Sequence, residues 1–268
     1  MIPVYSAGGS AREENAMKKA VAAVAACMMS AAMIASFAAC APEKSAFERA
    51  QEMSSERLGS REEWEAAFAD PTQGAEGNSY TFNNANYRIE SEMRAVASNA
   101  SVVVERDLVV GEEKVYLYQQ TDMYIGDSEE VAQSLTQEDY YAADASRYEH
   151  YYRDDDGVWA MTTVSSIDLA LLYTSAYTDE LTEYADDYDA FVWNDEKQGY
   201  CRTVSLTGLL DTTVTATLTL KFQGGKIAAI MISDSSATEG AALSSTVEVG
   251  VIISYNGQKV SLPVVGKA

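Results

Sequence analysis

The groups in this chain that could do covalent, acid–base or metal chemistry are few in kind: one histidine, three cysteines, and 41 acidic residues against 19 basic ones. A catalytic triad or a histidine-rich metal site would have to use His150. It sits in Tyr148-Glu149-His150-Tyr151-Tyr152, an alternating pattern that reads as an ordinary strand. Tyr200-Cys201-Arg202 also reads as strand, with Cys201 a buried, inert thiol. No nucleophile elbow, phosphate loop, dinucleotide fingerprint or zinc-ligand spacing occurs. Asp154 to Asp156, and Asp179, Glu180, Glu183, Asp186, Asp187 and Asp189, offer oxygen ligands but lack the spaced loop of an EF-hand, so they read as solvated surface. Glycoside hydrolysis by two carboxylates is the remaining catalytic option, and nothing in the sequence selects a pair. The expectation is a protein that is no enzyme, takes no cofactor and holds no metal.

The formal charge of −22 leaves no basic face for phosphate, which argues against a nucleic-acid partner. With 47% hydrophobic residues the chain is too apolar for a disordered acidic tail and suits one sizeable core. Fifteen of the 17 tyrosines lie between Tyr80 and Tyr200. Tyrosine is a good former of half-buried strands, and its large face with a polar tip could also stack on a sugar, grip a protein or line a lipid hollow.

The longest uncharged apolar stretch, Ala20 to Ala39, follows Met17-Lys18-Lys19, the layout of a secretory signal. Phe37-Ala38-Ala39-Cys40 resembles the lipobox of bacterial lipoproteins, with Phe37 where an aliphatic residue is usual. The resemblance implies a diacylglyceryl group on Cys40, whose two chains suffice for stable anchoring. Val24-Ala25-Ala26-Cys27 also fits the box but leaves a very short apolar region; a retained transmembrane anchor is the other reading. We therefore expect residues 1–16 to be a mis-assigned extension, 17–39 a signal peptide, 40–59 a lipidated cysteine with a flexible tether, and 60–268 a single domain. Without Arg12, Glu13, Glu14, Lys18 and Lys19 the mature chain keeps 16 basic and 39 acidic residues. Cys201 has no intramolecular partner once Cys27 is removed and Cys40 acylated, so no disulfide framework is expected.

Ser60 and Glu63 form a capping-box signature ahead of Trp64, Ala67 and Phe68, and Pro71 closes that short helix. The period then becomes two. Val115 and Leu117 alternate with Tyr116 and Tyr118; Tyr148–Arg153 and Val158–Val164 flank the turn Asp154-Asp155-Asp156-Gly157. In Thr213–Phe222 the residues Val214, Ala216, Leu218, Leu220 and Phe222 face one way, and Thr213, Thr215, Thr217, Thr219 and Lys221 the other, towards solvent. Gly224-Gly225 turns the chain into Lys226–Ser233, and Val247, Val249, Val251, Ile253 and Tyr255 make a last one-sided strand. Leu169, Leu172, Tyr173 and Ala176 recur at helical spacing after Ser166, a helix expected to cover the apolar face. The fold class is α+β: a curved antiparallel sheet, a half-open barrel, with helices over its concave face.

This order of elements resembles the LolA/LppX-like lipoprotein superfamily. The carriers are the helix with Trp64, the strand opening Asn78-Ser79-Tyr80-Thr81, the helical insertion Ser166 to Tyr188, the hairpin at Gly224-Gly225 and the ending Gln258 to Pro263. The resemblance implies a hollow able to hold acyl chains, lined partly by Val214, Leu218, Leu220, Phe222, Val249, Val251 and Ile253. It implies a monomer held on the extracytoplasmic side of a membrane, binding a lipid or another apolar ligand. The alternative is a surface module for protein or glycan whose hollow is filled by the helix after Ser166.

Overall fold

The computed structural model describes residues 44–68, 86–97, 100–111, 113–126, 128, 130–144, 147–165, 184, 186–207, 213–237, 245–255 and 257–265. Its framework is a single antiparallel sheet of eleven strands: β1 (Tyr87–Ala97), β2 (Ala100–Gly111), β3 (Lys114–Ile125), β4 (Gln133–Asp144), β5 (Arg147–Arg153), β6 (Trp159–Val164), β7 (Val192–Asn194), β8 (Gly199–Thr207), β9 (Thr213–Gln223), β10 (Lys226–Ala237) and β11 (Ser245–Tyr255). The order is β6-β5-β4-β3-β2-β1-β11-β10-β9-β8-β7. Every pair of strands consecutive in the chain is hydrogen-bonded except β6 and β7, and the first strand pairs with the last. The sheet is thus two meanders joined by the pairing of β1 with β11, open between β6 and β7 at its two edges.

Turn chemistry sets several registers. Asp154 follows β5, and its carboxylate accepts the N–H groups of Asp156 and Val158, shaping the hairpin into β6. Gly224 and Gly225, at φ 59° and 69°, supply the left-handed backbone of the β9–β10 turn. The pairing of β9 with β10 shifts register after Ile227 and after Ser233, irregularities of the kind that bend and twist a strand locally.

Two α-helices are described in full, α1 (Ala46–Glu52) and α2 (Arg61–Ala67), with helical residues at Tyr184 and Asp186 and a 3-10 turn at Tyr188–Ala190. Of the expected cover of helices, the described residues contribute α2 and Tyr184 to the cluster on one face of the sheet. The segment after Ser166 lies outside the described residues up to Tyr184, as do Asn78 to Thr81 and Cys40. Gln258 to Pro263 runs on without joining the sheet as a strand.

The segment expected as a flexible tether is ordered from Lys44 onward. Ser45 and Glu48 complete a reciprocal capping box, which starts α1. Ala50 is buried with Ala229, Met231 and Ile252, and Phe47 and Met53 pack on the same cluster. Residues 54–58 then cross the rim of the β9–β10 hairpin. Glu56 N–H donates to the Phe222 carbonyl, the Phe222 N–H donates to Ser55 Oγ, and Gln223 donates to the Ser54 carbonyl. Leu58 exchanges hydrogen bonds with the Tyr200 hydroxyl, and α2 sits on the opposite face from α1. The chain thus straps the sheet from one face to the other. We call the α1 side the outer face and the α2 side the inner face.

The strap corrects the picture of a solvated Thr-rich face. Thr219 and Lys221 are each 1% exposed beneath it, whereas Thr215, farther along β9, remains exposed. Lys221 Nζ donates to the carbonyls of Gln51 (2.8 Å) and Met53 (2.6 Å), where α1 ends and its last carbonyl groups need donors. Burial pulls this ammonium below the usual lysine range. Gly250 lets α1 approach: a Cβ there would collide with the backbone of Phe47.

On the inner face Trp64 is the hub. Its side chain is fully buried, its indole N–H donates to the Tyr184 carbonyl at 3.0 Å, and its rings lie 5.1–5.5 Å from those of Phe68, Tyr188, Phe191, Tyr200 and Phe222. Such contacts add to the apolar burial itself. Replacing Lys221 with Met keeps the stem but leaves two carbonyls without their donor, so urea unfolding should show a loss of about 2 kcal/mol. Gly250→Val should free the strap without removing the core, seen as faster proteolysis within residues 44–59.

Candidate functional site

The inner face divides in two. Over β9 to β11 it carries Leu218, Leu220, Phe222, Ile230, Val249, Val251 and Ile253, all buried in one cluster with Trp64, Ala67 and Leu58. The seven residues expected to line a hollow are brought onto this one face, with Val214 buried beside them at the far end of β9. Six of the seven belong to the cluster around the strap, so this part of the face is already occupied by the protein's own side chains.

Across β1 to β5 the same face changes character. Val251, Ser91, Arg106, Gln119 and Gln137 are register partners in sequence across five adjacent strands. On one side of this row run Ile253, Ile89, Leu108 and Leu117, ending in Asp139; on the other run Val249, Met93, Val104, Thr121 and Leu135. A polar stripe is therefore set between largely apolar rows. Strand spacing makes the stretch from Ser91 to Gln137 about 14 Å long.

The stripe is internally bonded. Arg106 Nε donates to Gln119 Oε1 at 2.9 Å. Gln137 Nε2 donates to Asp139 Oδ2 at 2.7 Å, and His150 Nε2 lies 2.7 Å from the other carboxylate oxygen. Asp139 is only 6% exposed, and these two partners account for both of its oxygens. The His150 ring stacks on Tyr141 at 4.6 Å and 7°. Burial, and secondarily the Asp139 charge, push the Tyr141 hydroxyl well above the usual tyrosine range.

His150 is thus more than a generic strand position: it is half of an Asp–His pair. Alternation would have placed it and Tyr148 on one face, but its carboxylate partner stands eleven residues away on the neighbouring strand. Among the described residues no hydroxyl or thiol is hydrogen-bonded to His150. Cys201 lies on the outer face, 3.3 Å from Thr219 Oγ1. Among the described residues no group of three or more His, Cys, Asp or Glu is arranged to hold a metal.

The outer face carries its own acids and rings. Glu92 and Glu105 are register partners, and burial together with Glu92 and Asp122 raises the Glu105 pKa. Both stand on one side of an open sheet, whereas glycoside hydrolysis needs carboxylates flanking the scissile bond. Tyr116 and Tyr140 lie 4.8 Å apart at 46°, and Tyr140 meets Trp159 at 77°. One pair is tilted and the other edge to face, so these rings do not form a flat stacking platform. Their hydroxyls are engaged too: Tyr140 donates to Glu138, Tyr118 to Gln120 and Tyr151 to Glu149.

No protein-family profile and no curated protein matches the chain. Among solved structures, the β-barrel-like protein of domain of unknown function DUF1849 from Brucella abortus aligns over 66% of this chain and 98% of its own, with 7% identity and a TM-score of 0.17. A similarity of that size carries no argument about fold or function.

Two outcomes test these electrostatics. Burial beside Glu138 raises the Tyr140 pKa to about 12, and the hydrogen bond to Glu149 raises that of Tyr151 to about 12. The unfolded chain ionises its tyrosines near pH 10, so it gains on the folded state from there upward. Stability should hold below pH 10 and fall between pH 10 and 12, with tyrosinate absorbance rising along the unfolding curve. Glu105→Gln should raise the thermal midpoint at neutral pH by removing a like-charge contact, and the gain should shrink at high salt.

Proposed function

We propose that this protein is a membrane-anchored binding lipoprotein of the extracytoplasmic side, tethered through Cys40, that holds an amphipathic ligand on the inner face of β1 to β5. The observation that carries the reading is the polar stripe Ser91, Arg106, Gln119, Gln137, Asp139 and His150 set between apolar rows. A guanidinium, two carboxamides and a carboxylate–imidazole pair can meet the acceptors and hydroxyls of a polar headgroup, while Ile89, Met93 and Leu135, half-buried in the flanking rows, offer apolar surface to its chain or ring. The sealed half of the face, with Leu218, Leu220, Phe222, Val249, Val251 and Ile253 packed around Trp64, moves the ligand away from the purely apolar lining expected from the sequence. In this reading the protein is a single-domain binder of the half-barrel lipoprotein kind, acting as a monomer without cofactor, metal, nucleic acid or catalytic step. The alternative, a glycan- or protein-binding outer surface, has less support because the outer rings tilt into one another.

The anchor is tested by feeding cells a clickable palmitate. Wild type should label, and Cys40→Ala labelling equally would refute the anchor. The site is tested by native mass spectrometry of the mature protein purified from its own membranes. Wild type should carry a species with a polar headgroup and an apolar chain, and Arg106→Gln or Gln137→Leu should lower its occupancy at least about tenfold, the effect of losing one charge-assisted or two neutral hydrogen bonds. Undiminished occupancy in both variants would place the ligand elsewhere.

A further inference from the structure

The sheet ends differently at its two edges. β7 offers three residues, and Asp195 directly after it is tied to the Trp193 indole and to Arg57. β6 offers six, and among the described residues no strand lies beyond it. Asp154 N–H donates to the Val158 carbonyl, so the hydrogen-bonded pairs of the β5–β6 hairpin are Tyr152 with Ala160, His150 with Thr162 and Tyr148 with Val164. The backbone N–H and C=O groups of Trp159, Met161 and Thr163 therefore point the other way, off the sheet. None of the usual guards of an edge occurs on β6. Its register with β5 is unbroken, and the sequence from Val158 to Ile167 has neither charge nor proline, whereas each of β1 to β5 carries at least two charged residues. Val158 and Met161 are 50% and 45% exposed, and Thr162 and Thr163 are exposed on opposite faces. At the hairpin end the strip turns acidic: Asp155 and Asp156 are exposed, beside an Asp154 carboxylate engaged by the turn.

We infer that β6 is a docking edge for a short extended segment of another protein, added antiparallel beyond β6, uncharged along the strand and basic at its C-terminal end. A row of backbone donors and acceptors repeating every second residue is met as a whole only by another extended backbone. The antiparallel sense is the better bonded one, and it brings the C-terminal end of the segment beside Asp155 and Asp156. Charge selects the partner. A formal charge of −22 repels a second copy of this chain and attracts a segment ending in Lys or Arg. Because β6 presents only three residues outward, the ladder is short, and the basic end carries a large share of the affinity.

The probe is the peptide Thr-Val-Thr-Val-Thr-Val-Lys-Lys with an N-terminal fluorescein and a C-terminal amide, titrated into the full-length protein and followed by fluorescence anisotropy. It should bind, and added salt should weaken the binding. The same peptide N-methylated at every Thr and Val has lost its backbone donors and should bind the wild-type protein at least about tenfold more weakly. Met161→Pro, which removes an N–H pointing off the sheet and none from the ladder to β5, should have an effect of the same size. Asp155→Asn combined with Asp156→Asn should weaken binding several-fold at low salt and flatten its salt dependence. Failure of the parent peptide to bind, or equal binding of the N-methylated one, would overturn the inference, and both are read on the wild-type protein. Sedimentation velocity supplies the remaining outcome: a wild-type dimer that Met161→Pro turns into a monomer would assign the edge to a second copy and overturn the heterologous partner.

Discussion

Strand β9 has no solvent side over its last turn of sequence, and much of the architecture follows from that constraint. Leu218, Leu220 and Phe222 need apolar cover on one face, while Thr219 and Lys221 are buried on the other. A lysine can be buried only where its ammonium finds acceptors, and the open carbonyls at the end of α1 are such acceptors. One segment, residues 44–68, meets both demands: it ends a helix over Lys221, crosses the hairpin rim, and lowers Trp64 onto Phe222. The two halves of the strap are coupled through a strand between them. Loosening either leaves the other with buried groups that lack partners.

The open seam is a second consequence of how the chain is wound. Ten strand pairings follow the meander and its closure between β1 and β11, so the pair missing from a full ring is β6 with β7. Those edge strands are short, six and three residues, which limits the backbone they offer for pairing. Around such an open sheet the inner face need not be uniform. It is dry where the strap and the aromatic cluster cover it, and hydrogen-bonded across β1 to β5, where Arg106, Gln119, Gln137 and Asp139 satisfy one another.

The sequence made the strands legible where alternation was strict. Thr213–Phe222 and Val247–Tyr255 appear almost as expected, as do the hairpins at Asp154–Gly157 and Gly224-Gly225, because period and turn chemistry are local properties. Local signals also announced α1, since Ser45 and Glu48 spell the same capping box as Ser60 and Glu63, but its apolar side consists of small residues and one Phe and so reads as a tether. At α2 the box is realised only by half: Ser60 accepts the Glu63 N–H, while Glu63 turns to the Gly59 N–H. Lys221 was misjudged for a different reason. Alternation says which residues share a face and is silent on what lies over that face, so a strand's polar side looks solvated until a distant segment is seen to cover it. The polar stripe was hidden likewise: Ser91, Arg106, Gln119 and Gln137 become a row only through register, and each alone looks like an ordinary polar strand residue.

That hidden row also bears on why the face is polar at all. A sheet seeking stability alone would continue the apolar rows of Leu108 and Val104 across every inner position, since burying carboxylate, guanidinium and carboxamide groups stabilises less than burying aliphatic ones of similar size. Here Asp139 is buried and must be held by Gln137 and His150, and Thr121 is buried in a row of Met93, Val104 and Leu135. These polar groups sit outside the aromatic cluster around Trp64, beside a second buried cluster of Tyr87, Leu108, Val110, Val115, Leu117 and Tyr141. Core packing alone does not call for them there; the headgroup recognition proposed above would use them, because it needs donors and acceptors already oriented on a rigid sheet before a ligand arrives.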